Sequence, residues 1–415
     1  MTVAVIGAGP AGLMAAEVIS AAGVPVTVYD RMPSAGRKLL MAGRGGLNLT
    51  HSEAMDGFLR RYGSAAPWLQ PLLDAFPPAA LIAWAESLGQ PTFVGSSGRV
   101  FPTALKTSPL LRAWLVRLRG QGVTLRLSHD WQGWTADGAL QFNTESGTET
   151  VAPNATVLAM GGANWPRLGS TGAWAGILAA QGVAIAPFQP ANSGFTIGWS
   201  EVFARFAGTP LKSIALSFAG QVVKGEAMVS AYGLEGGAVY ALSASLREAI
   251  NRNGLAILTV DLKPDMSADQ VADRLVRPRN GQSLSTFLRK ALGLSPVQIS
   301  LLREGHGATV ASDAQMLAIQ IKAVPLRLTG VQGLDRAISS AGGVALDEVD
   351  VHMMLPAKPG VFVAGEMLDW EAPTGGYLLQ ATMATGVAAG KGVLHFLEQH
   401  PVQPDGGKKE QLRLF

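Results

Sequence analysis

The first thirty residues alternate between apolar runs and a glycine-rich turn. Apolar runs at 3–6 and 25–29 predict two buried strands. Between them, small apolar residues from Leu13 to about Ala22 indicate a helix that can pack closely on a sheet. The second strand ends in an acid, Asp30. The pattern therefore predicts a βαβ unit at the start of the chain.

The turn of this unit reads as a dinucleotide-binding fingerprint, with glycines at 7, 9 and 12. Gly7 permits the tight turn, Gly9 lets the backbone approach a pyrophosphate, and Gly12 allows helix and strand to pack closely. Asp30 lies 18 residues beyond Gly12, where an acid can bind an adenosine ribose. A glycine turn in an ordinary α/β fold is the alternative, and it leaves the acid unexplained. The predicted contacts are Gly7, Gly9, Pro10, Ala11, Gly12, Asp30 and Arg31.

A basic, glycine-rich segment follows the second strand. Residues 36–51 hold two arginines, one lysine and four glycines. We interpret this segment as a loop that reaches back to a diphosphate and a ring system. A solvated basic loop is the alternative.

The middle of the chain changes from helical to strand patterning. Alternation predicts a strand at 123–127, a three-stranded meander over 131–151, and an apolar strand that ends in Gly161 and Gly162. Tryptophans 68, 84 and 114 are expected in the core rather than against a ligand. Apolar residues at three- and four-residue spacing predict helices at 58–62, 79–88 and 105–119.

From about residue 193, period-two alternation indicates a second unit. It predicts a small β-barrel or sandwich with a helix at 238–250, followed by helices over 267–304. Near residue 343 the cofactor domain resumes. A buried strand leads to Gly365 and Glu366, and a Gly-Gly pair opens a helix at 378–396.

Several of these segments resemble one known family. Gly36-Arg37-Lys38-Leu39, Gly43, Gly45 and Asn48-Leu49-Thr50 resemble the G-R-K-L-x-x-S-G-G-G-R-C-N-L-T-N signature of the BaiN/RdsA-type FAD-dependent oxidoreductases, also called HI-type flavoproteins. The segments 161–176 and 365–380 resemble further motifs of that family. The resemblance fails at Gly46 and Leu47, where the family has Arg and Cys, so the role of that pair cannot be transferred.

The resemblance implies a fold and a set of cofactor contacts. The fold would be α/β, a Rossmann-like FAD-binding domain of the two-dinucleotide-binding type, interrupted by a β-barrel and helical subdomain on the substrate side. The implied division is 1–192 and 343–400 for the FAD-binding domain, 193–342 for the insert and 401–415 for a flexible tail. Arg44 and Tyr377 would lie near the ring without an assigned role. The implied FAD contacts are Arg37, Lys38, Asn48, Thr50, Gly161, Gly162, Gly365, Glu366, Gly375, Gly376 and Gln380.

Composition narrows the function classes. The chain has no cysteine, which excludes disulfides, thiolate metal sites and a cysteinyl flavin link. The six histidines show no ligand spacing, so we expect no metal site. A net charge of +3 and the absence of a basic stripe argue against nucleic acid. No uninterrupted apolar span of eighteen residues occurs, and we predict a cytoplasmic protein without a membrane anchor.

The sequence thus predicts an oxidoreductase with non-covalent FAD that acts on a small organic substrate, with reduction of a C=C bond implied by the resemblance. Histidyl or tyrosyl attachment stays open. NAD(P)H would visit transiently, because no second glycine fingerprint follows a strand. The alternatives are a flavoprotein that modifies a macromolecule such as RNA and a non-catalytic, FAD-stabilised interaction protein. No catalytic acid or base can be named.

The last five residues form a separate motif. Gln411, Leu412, Leu414 and Phe415 resemble a peptide that docks on the bacterial DNA sliding clamp. The alternative, which we favour, is a tail whose apolar end folds onto its own protein.

Overall fold

The computed structural model describes residues 1–401, apart from the side chain of Arg44, so the clamp-like pentapeptide lies outside the described residues. The strands are β1 (Val3–Ile6), β2 (Val26–Asp30), β3 (Thr50–His51), β4 (Thr92–Val94), β5 (Arg99–Pro102), β6 (Thr124–Leu127), β7 (Asp130–Trp134), β8 (Leu140–Thr144), β9 (Gly147–Val151), β10 (Ala155–Leu158), β11 (Ile185–Ala191), β12 (Phe195–Thr196), β13 (Pro210–Phe218), β14 (Gln221–Ser230), β15 (Gly233–Glu235), β16 (Ala256–Asp261), β17 (Val324–Leu328), β18 (Gly330–Val331), β19 (Ser339–Val344) and β20 (Val361–Val363).

The helices complete the element order, with short 3-10 turns between some of them. They are α1 (Pro10–Ala21), α2 (Arg37–Ala42), α3 (Met55–Arg60), α4 (Ala66–Ala75), α5 (Pro78–Ser87), α6 (Thr107–Gly120), α7 (Trp174–Ala179), α8 (Glu201–Ala204), α9 (Gly237–Tyr240), α10 (Ser243–Asn253), α11 (Ala268–Leu275), α12 (Leu284–Leu292), α13 (Pro296–His306), α14 (Ala314–Lys322) and α15 (Tyr377–Gln399).

A five-stranded parallel sheet forms the centre of the first unit, in the order β20-β10-β1-β2-β6. Strands β1, β10 and β20 are buried along their whole length, as expected for a parallel sheet covered on both faces. The sheet brings the carboxyl ends of β1 and β10 together, so the Gly7 turn lies beside the residues that follow β10. The Rossmann-type fold predicted from the sequence is confirmed.

Helices α1 and α15 pack closely because glycines of α15 face α1. A Cβ at Gly386 would lie 2.5 Å from Ala11 O, and one at Gly390 would lie 2.8 Å from Val18 Cβ. The start of α1 therefore packs on the middle of α15, nine residues beyond its first residue, Tyr377. The first turn of α15 extends past this contact.

The insert has its own sheet and its own hydrophobic core. Seven antiparallel strands follow the order β17-β16-β13-β14-β15-β12-β18 where the sequence predicted a barrel or sandwich. Helices α11 to α14 cover this unit, and α11 and α13 begin with capping boxes at Ser267 and Ser295. A two-stranded sheet of β11 and β19 carries the chain into and out of the insert.

Three local predictions were wrong. The segment at 36–51 is not a loop throughout, because it contains helix α2. The predicted continuous helix at 238–250 is divided into α9 and α10. Helix α8 interrupts the predicted alternation at 193–218, where the Ser200 side chain caps its first turn.

Candidate functional site

The glycines of the N-terminal turn have different surroundings. Gly7 has a φ of +107°, and a Cβ there would lie 2.3 Å from Ala159 O. At Gly12 a Cβ would lie 1.9 Å from Gly7 O, so α1 packs directly on the turn. A Cβ at Gly9 would meet no atom within 4 Å, and this residue lines a cavity. Gly9 is therefore the point at which a ligand can approach the backbone.

Asp30 stabilises the same turn with both carboxylate oxygens. Oδ2 accepts a hydrogen bond from Ala8 N at 2.7 Å, and Oδ1 accepts one from Met32 N at 2.8 Å. Burial raises the pKa of Asp30, while the two backbone bonds act in the opposite direction. Asp30 also lines the cavity, and its remaining lone pairs can accept bonds from a ligand. The ribose contact stays a prediction.

A cavity of about 830 Å³ reaches from the glycine turn to the start of α15. Its volume lies in the range of small-molecule and cofactor sites. Most predicted contacts line it: Gly7, Gly9, Pro10, Ala11, Asp30, Arg31, Arg37, Lys38, Asn48, Gly161, Glu366, Gly375 and Gly376.

The other predicted contacts lie behind the cavity wall. The backbone of Thr50 packs on Gly376, where a Cβ would lie 2.5 Å from Thr50 C. The Gln380 amide donates a hydrogen bond to Phe76 O at 2.7 Å. These residues shape the wall rather than face the cavity. The set comprises Gly12, Thr50, Gly162, Gly365 and Gln380.

Lys38 lines the cavity and connects several polar side chains. Its Nζ lies 2.5 Å from Glu366 Oε2 and donates to Asn164 Oδ1 at 2.7 Å. A third bond runs to Ser170 Oγ at 3.3 Å. Glu366 Oε1 accepts from Ser340 N at 3.0 Å. Lys38 and Glu366 were both predicted to contact FAD and are far apart in the sequence. In the structure they are in direct contact.

Three residues of this network were not predicted from the sequence. Asn164 is fully buried and donates to Ile338 O at 2.7 Å. Ser340 Oγ accepts from Ala163 N at 3.1 Å. Ser170 Oγ donates to Gly162 O at 2.7 Å. Asn164 could have been singled out as a polar residue two positions after a glycine pair, whereas Ser340 gave no local signal.

Three cavity-lining residues, Arg37, Asn48 and Trp131, carry buried polar atoms without a partner. For Trp131 the atom is the indole Nε1, which has no acceptor. Arg37 donates through NH1 to Ser34 Oγ at 3.2 Å, but its Nε has no acceptor. The Oδ1 atom of Asn48 has no donor. Buried polar groups are nearly always paired, so each of these atoms fits a complementary group on a ligand.

The segment that departs from the family signature also borders the cavity. Gly46 and Leu47 both line it, and Leu47 is buried. Leu47 N donates to Leu105 O at 2.8 Å. Leu105 has a φ of +58°, a strained conformation for a bulky side chain. The position of the family cysteine is thus held by an apolar side chain.

The start of α15 lines the cavity as well, at a part of the wall separate from the glycine turn. Gly375 and Gly376 have φ values of +134° and +98° and both line the cavity. No side chain caps the first turn of α15, so its N–H groups are available to a ligand. An uncapped helix N-terminus carries partial positive charge and binds anionic groups.

The junction with the insert lies beside this helix. Arg247 of α10 is buried and binds Glu371 through two hydrogen bonds of 2.6 and 2.9 Å. Asn192 accepts from Thr374 N at 3.0 Å and donates to Ala372 O at 2.8 Å. These contacts hold the segment before Gly375 in place.

These residues fit a flavin dinucleotide. The cavity is lined by the glycine turn at the uncapped start of α1 and by the uncapped start of α15. Basic side chains also line it, and Arg37, Asn48 and Trp131 each have an unpaired polar atom that can bond to a ligand.

Comparison with known proteins adds a family. Residues 1–392 match the HI0933-like protein Rossmann domain. The chain belongs to this family. The match confirms the predicted resemblance and, together with the fold, the prediction of an FAD-dependent oxidoreductase.

The chain is 26% identical to the 3-dehydro-bile acid delta(4,6)-reductase of Clostridium scindens over 407 residues, 94% of this chain and 98% of that one. It is 26% identical to the ribosomal RNA dihydrouridine synthase of Escherichia coli over 395 residues, 91% of this chain and 94% of that one.

Two solved structures show the same fold at low identity. One is the open conformation of a flavocytochrome c3 fumarate reductase, with a TM-score of 0.51 and 16% identity over 95% of this chain and 78% of that one. The other is the 3-ketosteroid delta1-dehydrogenase of Sterolibacterium denitrificans, with a TM-score of 0.51 and 13% identity over 96% of this chain and 100% of that one.

Within residues 1–401, no helix has the length and apolarity needed to cross a membrane. Over the same range, His, Asp and Glu side chains form no group of three that suits a metal ion. The cytoplasmic location stays a prediction.

Proposed function

We propose that the protein binds FAD non-covalently in the cavity and reduces an activated carbon–carbon double bond of an organic substrate. The observation that carries this proposal is the cavity lined by the starts of both α1 and α15. A cofactor with a diphosphate at one point and an electron-accepting ring at another matches that pair of electropositive ends.

The chain's own residues would have separate tasks. Gly9 and the first turn of α1 would hold the diphosphate, and Asp30 would accept hydrogen bonds from the ribose. Gly375 and Gly376 would face the N1–C2=O edge of the ring, where the start of α15 stabilises negative charge. When bound, FAD supplies hydride transfer through N5.

The proposed substrate class is based on the names of two relatives and on one difference between this chain and the family signature. A Δ(4,6)-reductase and a dihydrouridine synthase, by name, both form products with fewer carbon–carbon double bonds. Gly46 and Leu47 replace the family's Arg-Cys pair at the cavity wall. We therefore infer similar chemistry on a different substrate, with no part for a cysteine.

A nicotinamide is the proposed electron donor. The glycine fingerprint at 7–12 lines the FAD cavity, and no second fingerprint follows a strand in the sequence. NADH or NADPH would therefore bind only transiently.

The test is anaerobic stopped-flow mixing of the FAD-loaded protein with NADH and, separately, NADPH. We expect loss of flavin absorbance with at least one donor and its return on adding an α,β-unsaturated ketone. A flavin inert to both donors and to a panel of such acceptors contradicts the proposal.

A second candidate is reduction of uridine in RNA, which the 26% identity to the ribosomal RNA dihydrouridine synthase favours. The net charge of +3 argues against a large nucleic-acid interface. The discriminating measurement is mass spectrometry of ribosomal RNA after incubation with the loaded protein and donor. A gain of two hydrogens on uridine supports this candidate, and unchanged uridine excludes it.

A further inference from the structure

Tyr377, the first residue of α15, lies behind the glycine pair that borders the cavity. A Cβ on Gly375 would lie 2.8 Å from Tyr377 Cε2, so the ring supports Gly375 directly. The Tyr62 hydroxyl donates to Tyr377 O at 2.8 Å. Gly376 rests on the backbone of Thr50. The position of both glycines therefore depends on the ring of Tyr377 and on strand β3.

The phenol of Tyr377 is itself fixed by a charged pair. It donates a hydrogen bond to Glu53 Oε1. Arg61 donates to the same carboxylate through Nε at 3.1 Å and NH2 at 2.9 Å, and its guanidinium lies 5.6 Å from the centre of the Tyr377 ring. His51 stacks on the ring at 5.4 Å. The ring is thus held in place by contacts from β3, α3 and the residues next to them.

The shifted pKa values of Tyr377 and Glu53 keep the phenol protonated and the carboxylate ionised. Burial raises the pKa of Tyr377, and the bond to Glu53 raises it further. Burial acts to raise the pKa of Glu53, but the bonds from Arg61 and Tyr377 lower it overall. At neutral pH the phenol therefore remains a donor and the carboxylate an acceptor.

We propose that Tyr377, Glu53 and Arg61 are positioning residues that fix the direction of the Gly375 and Gly376 amides and so set the redox potential of the flavin, an inference that rests on the proposed function. The charge at a helix N-terminus acts only within the first turn and depends on where the N–H groups point. Preorganised donors stabilise developing charge best when they need no reorganisation.

The test compares the wild type with Tyr377→Phe, which removes only the hydroxyl. We measure the midpoint potential of the bound flavin and the affinity of the apoprotein for oxidised FAD. In Tyr377→Phe we expect the ratio of the affinity for reduced FAD to the affinity for oxidised FAD to fall about two- to five-fold. This is the size expected for the loss of one interaction at a helix terminus. An unchanged potential in a variant that still binds FAD overturns the inference.

Tyr232→Phe is the matched control. The Tyr232 hydroxyl also donates to a carboxylate, Glu235 Oε2, at 2.5 Å, but Tyr232 lies in the turn between β14 and β15 of the insert, and neither residue lines the cavity. We expect it to leave the potential unchanged. An equal shift in both variants would mean a general effect of losing a tyrosine hydroxyl and overturns the inference.

Two further arms keep the outcomes separate. If Tyr377→Phe fails to fold, Glu53→Ala is the second variant, because it removes the carboxylate that accepts the hydrogen bond from Tyr377. We expect it to shift the midpoint potential in the same direction. An unchanged potential in Glu53→Ala then overturns the inference. A wild-type protein that takes up no FAD contradicts the proposed function instead.

Discussion

At the scale of single residues, two glycines of one turn have opposite surroundings. A Cβ at Gly9 would meet nothing, whereas one at Gly12 would lie 1.9 Å from Gly7 O. Gly9 thus faces the cavity, whereas Gly12 packs against the backbone of the turn. The same fingerprint combines a position required by a ligand with one required by packing.

This contrast predicts different effects of the same substitution. Gly12→Ala should lower the free energy of unfolding by about 1–3 kcal/mol, because its methyl group overlaps backbone. Gly9→Ala should leave the free energy of unfolding within about 0.5 kcal/mol and weaken FAD binding. Urea denaturation and FAD titration of both variants check this. Equal destabilisation by the two substitutions would contradict it.

Glu53 gives a pH prediction. Its pKa is lowered in the folded state, so its contribution to stability is present above its unfolded value, about 4.3, and is lost as pH falls through the folded value. The difference in unfolding free energy between the wild type and Glu53→Gln should therefore be largest near neutral pH and shrink in acid. Urea denaturation from pH 7 to pH 3 measures it. A difference that grows in acid would show that the sign is wrong.

At the scale of elements, one acidic residue of α1 connects this helix to α5 and α6. Glu17 accepts from Trp114 Nε1 at 2.6 Å, from Trp84 Nε1 at 3.0 Å and from Arg117 at 2.9 Å. A single carboxylate thus joins α1 to α5 and α6. The tryptophans belong to the packing of this layer, as the sequence indicated.

Glu17→Ala should therefore lower the free energy of unfolding by about 2–4 kcal/mol, because it leaves two indole N–H groups without an acceptor and Arg117 without its carboxylate partner. Glu86→Ala, on an exposed face of α5, is the control and should change it by about 0.5 kcal/mol or less. Denaturant unfolding followed by circular dichroism distinguishes them. Similar losses in both variants would rule out the anchoring role of Glu17.

Elements with strong local signals could be predicted from the sequence. The βαβ unit has its apolar strands and glycine turn, and α11 and α13 have capping boxes. Helix α2 begins after a glycine with left-handed backbone and buries only Leu39, so its pattern was too short to detect. Partners such as Ser340 and Glu371 are set by pairings across the chain, which no local pattern contains.

At the scale of the whole molecule, the insert is joined to the FAD-binding unit by a buried ion pair. The side chain of Arg247 is 5% exposed, and it binds Glu371 in the segment that leads to Gly375. The insert therefore contacts the chain directly before the predicted flavin edge. Changes at this junction are expected to reach the cofactor site.

A double-mutant cycle on Arg247 and Glu371 tests the strength of this junction. We expect a coupling free energy of about 1–3 kcal/mol, since the pair is buried and bidentate. The exposed pair Lys224–Asp265, at 64% and 79% side-chain exposure, is the control and should couple by about 0.5 kcal/mol or less. Unfolding free energies of the single and double variants give both values. Comparable coupling free energies in the two pairs would contradict the prediction that the Arg247–Glu371 pair holds this junction together.

FAD is the ligand proposed for the cavity that the two helix N-termini line. Isothermal titration of the apoprotein with FAD, FMN and NAD⁺ measures this selectivity. We predict one FAD per chain with a Kd below about 1 μM, and FMN and NAD⁺ at least tenfold weaker, because each would fill only part of the cavity. Absence of FAD binding, or equal affinity for NAD⁺, would contradict the proposal.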